Sequence, residues 1–319
     1  MIVETIGLTK EYRRRIGSGL RRRVEVVRAL DGMNLRIEKG SAVGYIGANG
    51  AGKSTTIKLL VGILVQTAGS VRTCGLDPVR HRRQLARRIG VVFGQRSQLW
   101  WDLPLRDSFA ILAAIHSLDS QQAARRLGEL SERLELAATM AVPVRQLSLG
   151  QRMRAELAAA LLHSPSLVIL DEPTIGLDVV SKQRLRDFLI DERSEHGTTL
   201  LLTTHDMGDV EKLCDRVVVI DRGRQIFDGP LGDLARFGGA ERVLVIDFAA
   251  ATGEMSGLAG ARLVSCEAGG MRQRLAFDPD ETTAAALLAA IQDRAEVRDL
   301  TIEEPGIESV VHRLWQRDR

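Results

Sequence analysis

The chain has 319 residues, of which 45% are hydrophobic and 27% are charged, and its formal net charge at pH 7 is +3. This length predicts two domains, or one large domain with an appendage, and the composition is typical of a soluble globular protein. The charge balance is only mildly basic, so it does not by itself indicate a nucleic-acid partner, and we expect none.

Neither cysteine usage nor hydropathy points to a secreted or membrane-spanning chain. Cys74, Cys214 and Cys266 lie far apart and lack metal-ligand spacing, which favours three reduced thiols in a cytosolic protein. The start, MIVETIGLTKEY, has no signal-peptide pattern, and no apolar run approaches the roughly 18 residues that cross a bilayer. If this protein works at a membrane, another chain must do the crossing.

The first part of the chain predicts short strands around glycine turns, in the segments MIVETIGL, VVRALDGMNLRI and SAVGYIG. The insertion YRRRIGSGLRRRVEV begins at Tyr12 and carries two arginine triplets. We expect a solvated hairpin tip or loop there, because long loops lie on surfaces. The alternative is a patch that faces phosphate groups or anionic lipid.

A glycine-rich loop follows the third strand. The segment GANGAGKS, residues 47–54, fits the phosphate-loop pattern G-x-x-x-x-G-K-[ST] between a predicted strand and a predicted helix. The glycines let backbone N–H groups converge on phosphate oxygens, and the helix N-terminus adds positive partial charge. Lys53 then reaches the β- and γ-phosphates, and Ser54 supplies a Mg²⁺ ligand. The residues predicted to bind nucleotide here are Gly47, Asn49, Gly50, Gly52, Lys53, Ser54 and Thr55.

The middle of the chain changes to helical periodicity. Apolar residues recur at helical spacing in QLARRIG, SFAILAAIHSL, AARRLGELSERLEL and QRMRAELAAALLH. The apolar run SLVIL then predicts a buried parallel strand, and the strand-like segments TTLLLTT and RVVVIDRG alternate with helix-like SKQRLRDFLIDERSE and MGDVEKLC. This alternation predicts an α/β sheet with right-handed crossovers.

Two acids end the strand LVILDE, residues 167–172. Asp171 at the strand end delivers a carboxylate to a Mg²⁺ ion, and the adjacent Glu172 can polarise an attacking water as general base. The alternative for this pair is a helix cap, since Pro173 and Thr174 follow. Together with the phosphate loop, the pair predicts a Mg²⁺-dependent nucleoside triphosphatase.

The pattern of predicted strands and helices changes again after residue 236. The segments ERVLVIDFA, ARLVSCEAG, MRQRLAFDP and EVRDLTIEEP predict strands, and ETTAAALLAAIQDR predicts a helix. A last amphipathic helix would bury Trp315. We expect a small α+β domain over residues 236–319 without catalytic residues, and we favour a dimer-stabilising or regulatory role for it. Binding a membrane partner, contacting the same domain of another subunit and only covering the core stay open as alternatives.

Several short motifs resemble one family. LSLGQ, residues 147–151, resembles the signature of ABC-transporter ATPases, usually LSGGQ; Gln95 in FGQ, Asp178 in IGLD and His205 in TTHD support the resemblance, which covers residues 1 to about 235. Leu149 replaces the second glycine of the signature. We still expect a competent signature, because Ser148 and Gly150 remain.

The resemblance implies an α/β fold, the P-loop NTPase (ABC ATPase) core over residues 1–85 and 164–235, with an inserted helical subdomain over residues 86–163. It further implies a head-to-tail dimer with two ATP molecules between the subunits, each under the partner's signature. In that arrangement Ser148, Gly150 and Gln151 bind nucleotide, Gln95 senses Mg²⁺ and the attacking water, and His205 contacts the γ-phosphate. Asp178 acts across the dimer, as the family implies.

Tyr12 lies where the family places an aromatic that stacks on adenine. Because the arginine-rich insertion follows Tyr12 directly, local packing at a strand end stays open as the alternative.

ABC ATPases divide into transport motors and soluble machines. One cassette followed by a tail resembles the ATPases of type 2 exporters, and FGQRSQLWWDLP resembles a sodium- or drug-exporter-like branch. The resemblance implies export through a separately encoded permease at the cytoplasmic face of the membrane. The alternative is a soluble ABC ATPase with a regulatory or assembly role.

Two adjacent tryptophans, Trp100 and Trp101, follow Gln95 closely. In the family this segment borders the groove that receives a permease helix. We expect at least one of the two, with Leu99 and Leu103, to line that groove, because exposed apolar anchors and Trp favour such docking. The alternative is packing within the helical subdomain.

Overall fold

The computed structural model describes residues 1–16, 23–94, 97–204, 206–237 and 241–303, with single positions between 306 and 315. The chain divides into two compact units, Met1–Leu231 and Gly232–Arg319. Over the described ranges, no helix has both the length and the apolar character to span a bilayer.

The first unit alternates strands with helices. Its strands are β1 (Val3–Ile16), β2 (Arg23–Met33), β3 (Arg36–Ile37), β4 (Ala42–Gly47), β5 (Ala68–Thr73), β6 (Ile89–Phe93), β7 (Leu167–Asp171), β8 (Thr199–Thr203), β9 (Arg216–Asp221) and β10 (Arg224–Pro230). Its helices are α1 (Lys53–Leu60), α2 (Arg82–Ala86), α3 (Leu105–Ile115), α4 (Ser120–Arg133), α5 (Leu149–Leu161), α6 (Val179–His196) and α7 (Met207–Leu213).

The central sheet has the strand order β10-β9-β4-β8-β7-β6, and all neighbouring strands are parallel except the antiparallel pair β9–β10. Every residue of β4 and β8 is buried, as is β7 up to Leu170, in agreement with their continuous apolar sequence. Because parallel strands share a direction, the ends of β4, β7 and β8 bring their following residues to one edge of the sheet.

A smaller antiparallel sheet joins β1 to β2, β3 and β5. Strands β1 and β2 form a long hairpin whose register runs to the pair Ile16↔Arg23. The predicted arginine-rich insertion therefore extends this hairpin, and residues 17–22 lie outside the described residues. Side chains of both sheets and of α1 form one core, in which Tyr45 is fully buried and its hydroxyl shares a 2.9 Å hydrogen bond with Thr56.

The predicted helical subdomain over residues 86–163 began too early. Strand β6 pairs in parallel with β7 and is therefore part of the central sheet, so the helical segment begins only after Phe93. The apolar residues of QLARRIG have helical spacing, and the prediction extended this helical segment through the next residues. Strand β6 has only five residues, too few for the two-residue alternation of a strand to be recognised directly after a helix. Buried Arg126 of α4 pairs with buried Glu192 of α6 at 2.5 Å and links the helical segment to the core.

The second unit contains α8 (Leu231–Phe237), which begins at the last residue of the first unit, then β11 (Arg242–Phe248), β12 (Ala261–Glu267), β13 (Arg272–Phe277), α9 (Ala284–Gln292) and β14 (Val297–Glu303). Its four strands form an antiparallel sheet in the order β12-β13-β11-β14. Leu244, Phe248, Leu275 and Phe277 pack with Leu287 of α9 in a separate core. The predicted strands and helix of the tail agree with these elements.

Candidate nucleotide-binding site

An open cavity of about 490 Å³ lies at the edge of the central sheet where β4, β6 and β7 end. It brings the predicted phosphate loop together with the two acids that follow the buried strand β7. The residues that line it are Ala29, Ala48, Asn49, Gly50, Gly52, Lys53, Ser54, Thr55, Lys58, Ile63, Phe93, Gly94, Asp171, Glu172 and Ile175.

The backbone of the phosphate loop requires glycine at two places. Gly52 precedes α1 with φ of 113°, and a Cβ there would lie 2.7 Å from the Ala29 carbonyl oxygen. A Cβ on Gly47 would lie 2.6 Å from a methylene carbon of Ile220. Side chains at either position would displace the loop from its neighbours, so the glycines keep this turn tight against the sheet.

Lys53 is the first residue of α1, and its side chain folds back along the loop. The ammonium donates hydrogen bonds to the carbonyl oxygens of Gly47, at 2.5 Å, and Ala48, at 3.2 Å. Burial lowers the pKa of Lys53, while the carboxylates of Glu172 and Asp171 oppose that shift. A partly desolvated cation at a helix N-terminus attracts a phosphate group strongly.

Asp171 ends β7, and the Thr203 hydroxyl of the neighbouring strand donates a 2.5 Å hydrogen bond to its Oδ1. The backbone N–H of Glu172 donates to the Thr203 carbonyl oxygen at 2.8 Å. Glu172 has φ of 56°, a left-handed conformation that costs a non-glycine residue energy and is found at functional sites. This turn aims the Glu172 side chain at the cavity that the phosphate loop lines.

The acid pair is not a helix cap. Helix α6 is capped by Asp178, whose carboxylate accepts from the Ser181 N–H at 2.9 Å and from the Ser181 hydroxyl at 2.7 Å. These bonds hold the pKa of Asp178 below its usual value. Thr174, between the acids and the cap, donates to the buried carboxylate of Asp209. The helix-cap alternative for Asp171 and Glu172 therefore does not apply.

The donor set suits a Mg²⁺ ion that is held mainly by phosphate oxygens and water. The Ser54 hydroxyl and the Asp171 carboxylate line one cavity. Within the described residues, no three His, Cys, Asp or Glu side chains converge to form a closed metal site. Mg²⁺ typically binds one or two protein ligands together with a nucleotide, so the residues present fit this ion.

Tyr12 does not line the described cavity. Its ring is 41% exposed on the β1–β2 hairpin, and the Lys10 ammonium lies 5.2 Å from the ring centroid. The hairpin contributes Ala29 to the cavity instead. A stacking role for Tyr12 remains a prediction that the geometry of one chain does not support directly.

The signature residues form the start of α5. The Ser148 hydroxyl accepts from the Gln151 N–H at 3.2 Å, and the Gln151 side chain accepts from the Ser148 N–H at 2.9 Å. This reciprocal capping box gives Gln151 a structural partner within its own chain. Ser148 is exposed and none of the signature residues lines the phosphate-loop cavity, so within one chain the signature and the phosphate loop remain apart.

Leu149, the departure from the usual signature, lies over the loop that precedes α6. A Cβ on Gly176 would come within 2.4 Å of Leu149 Cδ2, and Gly176 has φ of 71°. A leucine at 149 is therefore accommodated by a glycine at 176. A Cβ built on Gly150 would lie 3.6 Å from Leu177 Cδ2, which is an ordinary van der Waals contact.

Gln95 and His205, which were predicted to contact Mg²⁺ and the γ-phosphate, lie outside the described residues. Sequence reasoning missed Thr203, the hydrogen-bond donor to Asp171. Thr203 could have been recognised as a neighbour of Asp171, because it ends the predicted strand that pairs in parallel with β7. Sequence reasoning also missed Lys58, which lines the cavity but belongs to no short motif, and Phe93, which lies in the FGQ motif but was given no role.

The two tryptophans differ in exposure. Trp101 is 50% exposed, Trp100 is half-buried, and Leu103 is half-buried. Leu99 is 5% exposed and packs inside, so the prediction that Leu99 offers an exposed anchor was wrong. The Ser97 hydroxyl oxygen accepts a 3.1 Å hydrogen bond from the Leu99 N–H, which fixes the backbone at this turn.

The sequence profile that describes the ABC transporter family matches residues 30–175. The daunorubicin resistance ATP-binding protein DrrA3 of Streptomyces coeruleorubidus is 37% identical over 228 residues, which cover 72% of each chain. The ABC transporter ATP-binding protein NatA of Bacillus subtilis is 33% identical, over 66% of this chain and 85% of its own length. A Nod factor export ATP-binding protein of Ralstonia nicotianae is 36% identical, over 66% of this chain and 65% of its own length.

Solved structures agree with this relationship. The structure of an ATP-binding subunit of an ABC transporter superposes with a TM-score of 0.65 at 26% identity, covering 74% of this chain and 92% of the other. A dimeric ATP-binding cassette in a post-hydrolysis state, bound to ADP and Pi, gives a TM-score of 0.61 at 26% identity, covering 72% and 98%. With this fold, its phosphate loop and its acid pair, the chain belongs to the ATP-binding proteins of the ABC transporter family.

Proposed function

We propose that this chain is the ATP-hydrolysing subunit of an exporter and that a separately encoded permease carries the substrate. The convergence of the phosphate loop and the acids after β7 on one cavity carries the ATPase assignment. The family supplies the transport context, and relatives named for daunorubicin resistance and Nod factor export favour the outward direction.

Within the site, each residue has a role that follows from its chemistry. Lys53 and the loop N–H groups bind the β- and γ-phosphates, and Ser54 and Asp171 hold Mg²⁺, which neutralises phosphate charge when bound. Glu172 accepts a proton from the attacking water. Gln95 and His205 assist at the γ-phosphate, as the family resemblance implies.

The complete site needs a second copy of the chain. The signature and the phosphate loop do not share a cavity within one chain, and a related cassette is dimeric with ADP and Pi bound. A head-to-tail dimer would bring the Ser148 hydroxyl, the Gly150 N–H and the α5 N-terminus to the partner's γ-phosphate. Asp178 would lie at the same subunit boundary.

The permease would hold the protein at the cytoplasmic face of the membrane. Trp101, half-exposed on the segment before α3, offers an apolar anchor for a permease helix. Trp100 and Leu103, which are half-buried, are the further candidates on this segment. The alternative, a soluble ABC ATPase with a regulatory or assembly role, predicts no membrane partner.

Co-purification decides between the two. The full-length chain, tagged and expressed in its own cell, should capture a membrane protein with about six spans, and Trp101→Ala should weaken that capture while preserving ATP hydrolysis by the purified chain. Recovery with ribosomes, and no membrane protein captured by either form, would contradict export. Leu300→Ala, an exposed apolar residue of the second unit, is the matched control and should capture the same partner.

A further inference from the structure

Helix α5, which starts at the signature, holds the segment 97–101 through a buried carboxylate. Glu156 is 6% exposed, and its carboxylate accepts hydrogen bonds from the Ser97 hydroxyl and, at 3.2 Å, from the Gln98 N–H. The Gln98 side-chain amide donates to the Glu156 carbonyl oxygen at 3.1 Å. Burial raises the pKa of Glu156, and the bonds from Ser97 and Gln98 oppose that rise.

A second side chain of α5 reaches the far end of the segment. The Arg152 guanidinium lies 5.6 Å from the centroid of the Trp101 ring, within the range of a cation–π contact. Arg152 and Glu156 are four residues apart, so they lie on the same face of the helix. One face of α5 therefore contacts both ends of the segment 97–101.

The chain that leads into the signature is bonded to the same region. The Arg145 N–H donates to the Trp101 carbonyl oxygen at 3.0 Å, and the Val144 N–H donates to the Leu103 carbonyl oxygen at 3.1 Å. Arg145 also pairs with Asp102 at 2.9 Å. The tryptophan segment is thus bound both to the residues before Ser148 and to the helix after it.

We infer that Glu156 and Arg152 are positioning residues that lock the segment 97–101 to the signature helix, so that movement at Trp101 and movement at Ser148 are coupled. This inference rests on the proposed function, in which Trp101 meets the permease and Ser148 meets the partner's ATP. Ordinary packing alone would not place a charged carboxylate in this interior, because a buried acid is costly without a specific set of donors. Among the described residues, the donors to this carboxylate are Ser97 and Gln98, which both belong to the segment that it holds.

The test uses Trp101 as its own reporter. In full-length protein carrying Trp100→Phe, Trp315→Phe and Glu172→Gln, Trp101 is the remaining tryptophan and ATP is retained. MgATP should change its fluorescence emission when the signature closes on nucleotide. Adding Glu156→Ala should reduce that change by about fivefold or more, while the Kd for MgATP measured with a labelled nucleotide stays within about twofold.

Two further variants separate coupling from structure. Arg154→Ala is the matched control, because Arg154 lies on the same helix but binds Glu135 and the Leu134 carbonyl on another face, and it should keep the full emission change. Glu156→Gln should recover most of the change, since an amide oxygen still accepts from Gln98. If Glu156→Ala does not fold, Ser97→Ala, which removes one hydroxyl, should still reduce the change at least about twofold.

Each outcome has one meaning. An undiminished emission change in Glu156→Ala, or in Ser97→Ala where that variant is needed, overturns the inference, and so does an equal loss in Arg154→Ala. If MgATP binds the parent protein without changing Trp101 emission, the inference fails while the proposed function stands. If MgATP binds neither the parent nor the unsubstituted chain, the proposed function itself fails.

Discussion

The two units are both built from strands and helices, yet they arrange their chemistry differently. The first unit ends parallel strands β4 and β7 at one edge, where Lys53, Asp171 and Glu172 line a cavity. In the second unit the sheet is antiparallel, so neighbouring strands end at opposite edges of the sheet. The polar residues at the strand ends are therefore divided between the two edges. Parallel topology concentrates functional groups, while the antiparallel unit uses its residues for a core.

The largest expected effect concerns the general base. Glu172→Gln should lower kcat for ATP hydrolysis by about 10²–10⁴-fold and leave MgATP binding intact, because the amide keeps the shape but cannot accept the proton. Steady-state kinetics with a nucleotide-binding assay measure both. The same substitution in the second unit, Glu281→Gln, should leave kcat unchanged; an equal loss there would break the distinction between the units.

Removing core volume from the second unit should affect folding and spare the chemistry. Leu275→Ala deletes a fully buried side chain of the β13 core and should lower the free energy of unfolding of this unit by about 2–5 kcal/mol. Leu300→Ala, on exposed β14, should cost about 1 kcal/mol or less. Differential scanning calorimetry gives the stabilities. Loss of ATP hydrolysis below the unfolding transition of Leu275→Ala would show that the first unit depends on the second.

A substitution of Gly52 tests whether the backbone geometry of the phosphate loop requires glycine. Gly52→Ala would force a Cβ against the Ala29 carbonyl at positive φ, and it should weaken MgATP binding and destabilise the protein by about 1–3 kcal/mol. Gly128→Ala is the control, because nothing lies within 4 Å of a Cβ there and it sits inside α4. It should stabilise the protein by about 0.5–1 kcal/mol. Chemical denaturation and nucleotide titration test both variants.

A pH dependence of stability is expected within the first unit. His163 stacks on His116 with ring centroids 3.9 Å apart, and burial lowers the pKa of His163 to about 4. The unfolded chain binds this proton near pH 6.5 and the folded chain does not. The contribution of His163 to stability should therefore fall by about 2 kcal/mol as pH drops from 6.5 to about 4, after allowance for partial solvent exposure, and should change no further below that.

His163→Gln should flatten that dependence in urea unfolding measured at several pH values. His81→Gln replaces an exposed histidine and should leave the slope as it is in the unsubstituted protein. Equal slopes in all three proteins would contradict the assignment to His163.

Local chemistry explains why much of the site could be predicted from sequence. The phosphate loop requires glycines at fixed spacing, and the acids must follow a buried strand, so Lys53, Ser54 and Asp171 could be predicted from their own neighbourhoods, and all three line one cavity. The predictions of an α/β ABC ATPase fold and of the family are confirmed. The strands of the second unit were also predictable, because their alternating pattern is local.

Other features depend on partners distant in sequence. The contact of Leu149 with Gly176, the bonds of Glu156 to Ser97 and Gln98, and the Thr203 bond to Asp171 each join segments that only folding brings together. Leu99 was misassigned for the same reason, since the residues that bury it are not its neighbours in sequence. Strand β6 was missed because its short length hid its period.

We propose that a second copy of the chain completes the ATP site. Light scattering of Glu172→Gln with and without MgATP tests it most directly, with Ser148→Arg in the same background as the companion variant. We predict that MgATP doubles the mass from the 35.0 kDa monomer, and that Ser148→Arg binds MgATP yet stays monomeric. A mass that MgATP leaves unchanged, or a dimer that forms equally well with Ser148→Arg, would contradict the claim.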